Sequence, residues 1–262
     1  MRAATLVAAL VAAAALMAIG AGAAGAETIY NKIQNPFPGN VASLAFEATS
    51  TSEFGGEVEF AHTARTSPIV TVELSSWACQ NLLSGKECKT AAGTSFEWPI
   101  TLNVYEVGAG RAPGTLLATQ TNSYKIPFRP SANNRKCTLD GEGVVGFGAS
   151  CFSGKAFKVK FSLEGLVLPG KAIISVAYNT TDYGYHPTHE ANIGEDSLNV
   201  GLYEGGESSE TVGSSPFPND AYLNSTWSGA YCNGAEGTGT FRLDSGCWSP
   251  YQPAFEVQAK AH

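Results

Sequence analysis

The stretch FKVKFSLE, residues 157–164, decides the fold class. Its apolar side chains Phe157, Val159, Phe161 and Leu163 alternate with polar ones, and a period of two indicates a β-strand with one face against a core. Helical periodicity is nearly absent elsewhere, so we expect an all-β chain folded as an antiparallel two-sheet β-sandwich that is jelly-roll-like. The same alternation recurs in EVEFA (57–61), IVTVELS (69–75), ITLNVYEV (100–107), KAIISVAY (171–178), SLNVGLY (197–203) and AFEVQA (254–259).

The chain divides into three parts. Residues 1–26 have one charge at Arg2, an apolar run and a small-residue end, which is the pattern of a secretory signal peptide. Residues 27–42 are predicted to be an N-terminal arm, and residues 43–262 a single β-sandwich domain. We therefore expect a secreted, extracellular protein.

The charge balance limits the partners that the chain can bind. Loss of Arg2 with the leader leaves 15 basic and 23 acidic residues, a net charge of −8. Nucleic acids and anionic lipids are bound chiefly through lysine and arginine, so we expect neither as a partner. No stretch after the leader is apolar for long enough to span a membrane. The sequence indicates no cofactor.

The cysteines indicate a disulfide framework. An even number in an exported chain is typical of disulfide pairing, and no C-x-x-C spacing suggests zinc. Each couple that is local in sequence brackets a loop-like segment. We therefore predict the pairs Cys79–Cys88, Cys137–Cys151 and Cys232–Cys247.

Two segments carry a resemblance to a known group. VYEVGAGRAPGTLLATQT (104–121) contains Pro113-Gly114, which suits the centre of a type II turn between two strands. Together with FSLEGLVLPGKAIISVAYNT (161–180), it resembles uncharacterised secreted bacterial proteins built on a jelly-roll-like domain. The resemblance covers about a third of the chain. It implies a fold and an exported protein, but no catalytic residues.

Aromatic residues in the predicted loops are the candidate ligand-binding residues. Tyrosine and tryptophan rings stack on the apolar faces of sugars and of other partners. An alternative interpretation is that these rings pack on the core or on disulfides. The candidates are Tyr183, Tyr185, Tyr222, Trp227, Tyr231 and Trp248.

Histidines and carboxylates offer weaker candidates. His186 and His189 lie in YGYHPTHE (183–190), but their spacing matches no known zinc motif, so no metal site is assigned. Paired strand carboxylates are the chemistry of glycoside cleavage, although their alternation with apolar residues also fits a solvated sheet face. The strand carboxylates are Glu57, Glu59, Glu73 and Glu106.

Three functions are compatible with these patterns. Our first hypothesis is non-catalytic binding of a carbohydrate or another cell-surface ligand, with no catalytic residue. The second is a polysaccharide-acting enzyme that uses two carboxylates. The third is a structural exported protein without a small ligand.

Overall fold

The computed structural model describes residues 25–82, 88–131, 145–147, 150–152, 154–179, 198–204, 212–234, 239–249 and 251–261. Its helical segments in that part are two 3-10 turns, Ala109–Arg111 and Ser228–Ala230. The strands are β1 Glu27–Asn31, β2 Ser43–Ala45, β3 Thr51–Glu59, β4 Thr66–Ser76, β5 Asn81–Leu82, β6 Cys88–Lys89, β7 Ser95–Val107, β8 Pro113–Pro127, β9 Val145–Phe147, β10 Ser150–Phe152, β11 Lys155–Ser162, β12 Lys171–Ala177, β13 Leu198–Glu204, β14 Asp220–Ser225, β15 Arg242–Ser245, β16 Tyr251–Pro253 and β17 Phe255–Lys260.

Two antiparallel sheets form the sandwich, as the sequence predicts. The first contains β1-β17-β4 in hydrogen-bonded order, with β11 on the other edge of β4 and with β2, β13 and β16 added. The second has the order β15-β14-β3-β12-β7-β8. The sets β1-β17-β4-β11 and β3-β12-β7-β8 have the connectivity of a jelly roll, because the chain crosses between the sheets after each of these strands except at the β7–β8 hairpin, and β17 returns beside β1.

The stretch that predicts the fold forms the edge strand β11 and the residues that follow it. β11 pairs with β4 over its whole length, from Lys155 opposite Ser76 to Ser162 opposite Ile69. The side chains of Val159 and Phe161 are buried, whereas Lys158 and Lys160 on the opposite face are exposed. The alternation predicted from the sequence is therefore confirmed.

The core lies between the two sheets and consists of inward-facing residues from both. Val70, Val72 and Leu74 of β4 belong to it, as do Phe54 and Val58 of β3. Neighbouring residues in a strand point to opposite faces. Glu53, Gly55 and Glu57 of β3 therefore lie on the outer face of the second sheet.

The boundary drawn at residue 43 between an arm and the sandwich is not observed. Glu27–Asn31 forms β1, which pairs with β17 in the first sheet. Ile29 and Tyr30 are fully buried in the core, and this burial fixes the segment in place. The alternation was too short in this segment to be recognised as a strand.

The turn predicted at Pro113-Gly114 is displaced by a few residues. The β7–β8 hairpin turns through Ala109–Arg111, and Gly108 donates its N–H to the carbonyl of Ala112 over 2.8 Å. Gly110 and Arg111 both have a positive φ, 61° and 66°. Pro113 instead begins β8. Arg111 is thus held in a conformation that costs a residue with a Cβ about 1–2 kcal/mol.

The disulfide prediction is confirmed at one pair. Cys232 and Cys247 are bonded, with their Cα atoms 5.5 Å apart. Cys79 is also disulfide-bonded. Its predicted bond to Cys88, and the predicted pair Cys137–Cys151, involve side chains outside the described part and stay predictions.

The leader predicted at residues 1–26 lies almost wholly outside the described residues. Within the part of the chain that the structure describes, no helix has the length and apolar character needed to cross a membrane.

Candidate functional site

The outer face of the second sheet is polar, yet it is buried. Glu53 and Glu57 of β3 and Asn103 of β7 are each less than a tenth exposed, and Ser175 of β12 is fully buried. Buried polar groups are rare unless they are hydrogen-bonded. The alternation predicts a solvated face here, which is wrong at Glu57, because Arg111 of the β7–β8 turn contacts its carboxylate, whereas Glu59 of the same strand is exposed.

Glu53 is the centre of this polar layer. Its Oε1 accepts hydrogen bonds from the Asn103 amide at 2.9 Å, the Tyr105 hydroxyl at 3.0 Å and the Ser175 hydroxyl at 2.6 Å. Among the described residues, no lysine, arginine or histidine forms an ion pair with Glu53. A carboxylate that is 9% exposed without a cation is costly to bury, so its hydrogen bonds are needed to stabilise it.

Three aromatic rings form a group on this face, and one of them, Tyr105, contacts Glu53. The ring of Phe241 stacks on that of Tyr105, with centroids 5.3 Å apart and an angle of 29° between the planes. It also lies 6.0 Å from the ring of Tyr222 in a tilted arrangement. Residues 239–241 thus bring a ring over the sheet next to its polar row. We call Glu53, Asn103, Tyr105, Ser175, Tyr222 and Phe241 the Glu53 face.

The β7–β8 turn closes one end of this face through Arg111. The Arg111 Nε donates to Glu57 Oε2 at 2.9 Å, and Nη1 donates to Asp220 Oδ2 at 2.5 Å. The guanidinium carbon lies 3.3 Å from the ring centroid of Phe217. The Tyr222 hydroxyl donates to the backbone carbonyl of Arg111 at 2.8 Å. The turn is therefore fastened to β3 and β14 by contacts from both its side chain and its backbone.

Burial and these neighbouring charges shift the pKa values of three side chains in the site. Burial, followed by the nearby Glu53 carboxylate, raises the pKa of Tyr105. Burial, followed by the Glu57 carboxylate, raises the pKa of Tyr222. Burial opposes the charge of Arg111, but its hydrogen bonds to Asp220 and Glu57 raise its pKa overall. Both phenols are therefore hydrogen-bond donors at neutral pH, and Arg111 is a cation.

The structure does not bring together on one surface the four predicted aromatic residues that lie in its described part. Tyr222 is fully buried, and Tyr231 and Trp248 are at most 9% exposed. Trp248 packs against Phe54 and donates its Nε1–H to Asp244 at 2.7 Å.

The rings of Tyr231 and Trp248 thus pack on the core, which is the alternative interpretation, whereas Tyr222 lies on the outer face of the second sheet and donates to the Arg111 carbonyl. Trp227 is 51% exposed and remains available to a partner. Tyr183 and Tyr185 lie outside the described residues.

The weak metal candidates His186 and His189 also lie outside the described residues. In the described part, one group of potential ligands converges: Cys232, Asp244 and Cys247, with ligand atoms within 4.8 Å of one another. The two sulfurs are bonded to each other and cannot act as thiolate ligands. Asp244 instead accepts hydrogen bonds from the backbone N–H of Cys232 and from a tryptophan.

The carboxylates predicted from the strands are dispersed. Glu57 lies on the outer face of the second sheet and Glu73 on the outer face of the first, so the two cannot act on one bond. Glu106 is exposed near the β7–β8 turn, and Glu59 is exposed at the end of β3. Glu53 was missed, although its position four residues before Glu57 in the same strand places it on the same face.

Comparison with known proteins assigns no family to this chain. No protein-family model matches the chain, and neither does a curated protein or a solved structure.

Proposed function

We propose that this chain is a secreted, non-catalytic protein that binds a glycan or another hydroxyl-rich cell-surface ligand on the Glu53 face. The observation that carries this proposal is the buried Glu53 carboxylate, which three donors from two neighbouring strands hold on one oxygen. A fixed acceptor beside aromatic rings is the arrangement that orients hydroxyl groups and stacks sugar rings.

The two oxygens of Glu53 have different roles in this proposal. All three hydrogen bonds within the described part fall on Oε1. They fix the carboxylate plane, so that Oε2 accepts a ligand hydroxyl without a further loss of side-chain entropy. The rings of Tyr105 and Phe241 supply the apolar contact. Export is supported by the leader pattern at residues 1–26 and by the Cys232–Cys247 disulfide.

The experiment is a glycan array of residues 27–262, followed by calorimetric titration with the best ligand. We expect Glu53→Gln to weaken binding about tenfold or more, because one hydrogen bond to a charged acceptor contributes roughly 1.5–3 kcal/mol. Glu59→Gln is the matched control, since Glu59 lies on the same face of the same strand but is exposed. Equal losses in both variants, or no glycan bound, would contradict the proposal.

A second candidate is hydrolysis of a polysaccharide by Glu53 and Glu57. The observation that favours it is that both carboxylates are buried on one face of β3, with Gly55 between them. Their Cα atoms are about 13 Å apart along the strand, a separation from which long side chains can flank one glycosidic bond. Release of reducing sugar that is lost in both Glu53→Gln and Glu57→Gln would establish catalysis.

The contacts of Glu57 make it a poor general acid. Its Oε2 accepts from Arg111, and the Lys171 ammonium lies 3.6 Å from Oε1. A general acid must deliver a proton to the leaving oxygen. A carboxylate that is held between a guanidinium and an ammonium is instead suited to fixing the β7–β8 turn.

A further inference from the structure

A second, separate cleft opens at one end of the sandwich, and none of the residues of the Glu53 face lines it. It encloses about 550 Å³, which is within the usual range for small-ligand sites. Its walls come from residues 39–40, 90–94, 127–128, 130–131 and 154–155. We call these residues the basic cleft.

The wall at residues 90–94 is fixed by side-chain hydrogen bonds. The Gln80 carbonyl oxygen Oε1 accepts from the Ala91 N–H at 2.8 Å and from the Thr94 hydroxyl at 3.1 Å. The Ser131 hydroxyl accepts from the Thr90 N–H at 2.9 Å and lies 3.2 Å from the Thr90 carbonyl, to which it donates. The lining segments 90–94 and 130–131 are thus joined directly, and a cleft with fixed walls loses less entropy on binding.

The wall at residues 154–155 is also closely packed. A Cβ on Gly154 would lie 2.4 Å from Ser75 Oγ and 2.6 Å from Asn40 Oδ1, so a side chain does not fit there. Asn40 is 6% exposed and its Oδ1 accepts from the Ser75 hydroxyl at 2.7 Å. The Ala156 N–H donates to the Gly39 carbonyl and joins the two lining segments. The cleft is therefore a built feature of the fold.

The charge of the cleft is opposite to that of the chain. The protein has 23 acidic residues against 16 basic ones, yet none of the described residues that line the cleft is acidic. Lys155 lines it, is exposed, and forms no ion pair within the described part of the chain. A lysine without a carboxylate partner among the described residues attracts anions.

We propose that the basic cleft binds a small anionic ligand, such as an acidic sugar or a phosphate ester, through an ion pair with Lys155. The polar residues Asn40 and Thr90 also line the cleft beside this lysine. Phe128 and the neighbouring prolines supply an apolar wall for the body of the ligand. This site does not depend on the ligand of the Glu53 face.

The experiment follows the ¹⁵N-labelled mature chain by NMR during titration with glucuronate, inorganic phosphate or neutral glucose at low ionic strength. We expect an anion to shift the amide signals of residues 90–94 and 154–155, and glucose to leave them unchanged. Binding of glucuronate alone assigns a carboxylate ligand, and binding of phosphate alone assigns a phosphate ester. Failure of both anions to bind would overturn the proposal.

Three variants test the role of Lys155. Lys155→Ala should weaken anion binding about tenfold, because it removes one charged hydrogen-bond donor. Ala92→Glu should abolish it, since it adds a carboxylate to the opposite wall at an exposed position. Lys160→Ala is the matched control, an exposed lysine of the same strand outside the cleft, and should leave binding unchanged. An equal loss in Lys160→Ala would show only a general charge effect and would refute the assignment.

Discussion

The contacts of Arg111 predict how much the β7–β8 turn contributes to stability. The side chain of Arg111 is 22% exposed, whereas that of its partner Glu57 is 2% exposed. Removal of one partner of a buried ion pair costs about 3–5 kcal/mol, because the remaining charge stays buried. The partial exposure of Arg111 and the presence of Lys171 at 3.6 Å reduce this cost. We therefore expect Arg111→Ala to lower the free energy of unfolding by about 2–3 kcal/mol.

Two further variants separate the contributions of backbone strain and of the buried Glu57 charge to this loss of stability. Arg111→Gly also loses the side chain, but it relieves the positive φ of 66°, so it should be about 1 kcal/mol more stable than Arg111→Ala. Glu57→Gln in the Arg111→Ala background removes the unpaired buried charge. We expect it to restore about 1–2 kcal/mol, which is within the usual range of coupling between contacting residues.

Urea unfolding measures all of these free energies. The midpoint should shift without a change in the slope of free energy against urea concentration, because the core is untouched. A loss below about 0.5 kcal/mol in Arg111→Ala, the range of ordinary surface substitutions, would refute this account of the turn. Failure of Glu57→Gln to recover any stability would show that the buried charge is not the cause.

Three other predictions concern the scaffold. Burial raises the pKa of Tyr178, so its stabilising contribution is complete below the ordinary tyrosine pKa of about 10 and is lost as the pH rises above it. Tyr178→Phe should therefore reduce the fall in urea midpoint between about pH 9 and pH 11, and an unchanged fall would contradict this. Gly55→Ala should lower the free energy of unfolding by about 2 kcal/mol or more, the usual cost of overpacking, because its Cβ would lie 2.3 Å from a carbonyl oxygen of β12. In the control Gly170→Ala, the Cβ would have no atom within 4 Å and the loss should be far smaller; similar losses in both variants would refute the explanation. Replacement of both Cys232 and Cys247 by alanine should lower the free energy of unfolding by about 3 kcal/mol, as expected for a loop of this size. If chemical reduction of the disulfides in the wild type caused no loss of stability, this prediction would be contradicted.

The sequence predicts the scaffold because the hydrophobic alternation is local. Phe157 to Leu163 and Val70 to Leu74 each show a strict period of two, and each lies in or beside a strand of the sandwich. The N-terminal strand was missed because five residues with one buried pair show too little alternation.

The candidate site was harder to predict because its contacts are distant in sequence. Asn103 and Ser175 are 50 and 122 residues from Glu53, and Arg111 is 109 residues from Asp220. Sequence spacing does not indicate that such residues are in contact. The strand order of the second sheet brings them together. The aromatic candidates rest on residue type. Residue type does not distinguish a buried ring such as that of Tyr222 from an exposed ring such as that of Trp227.

The most direct test of the Glu53 face is a map of where a bound oligosaccharide changes the spectrum of the ¹⁵N-labelled mature chain. The account predicts shifts at the amides of Asn103, Tyr105 and Ser175 in wild type, and their loss in Glu53→Gln but not in Glu59→Gln. Shifts confined to the outer face of the first sheet around Glu73, or shifts that persist in Glu53→Gln, would contradict it.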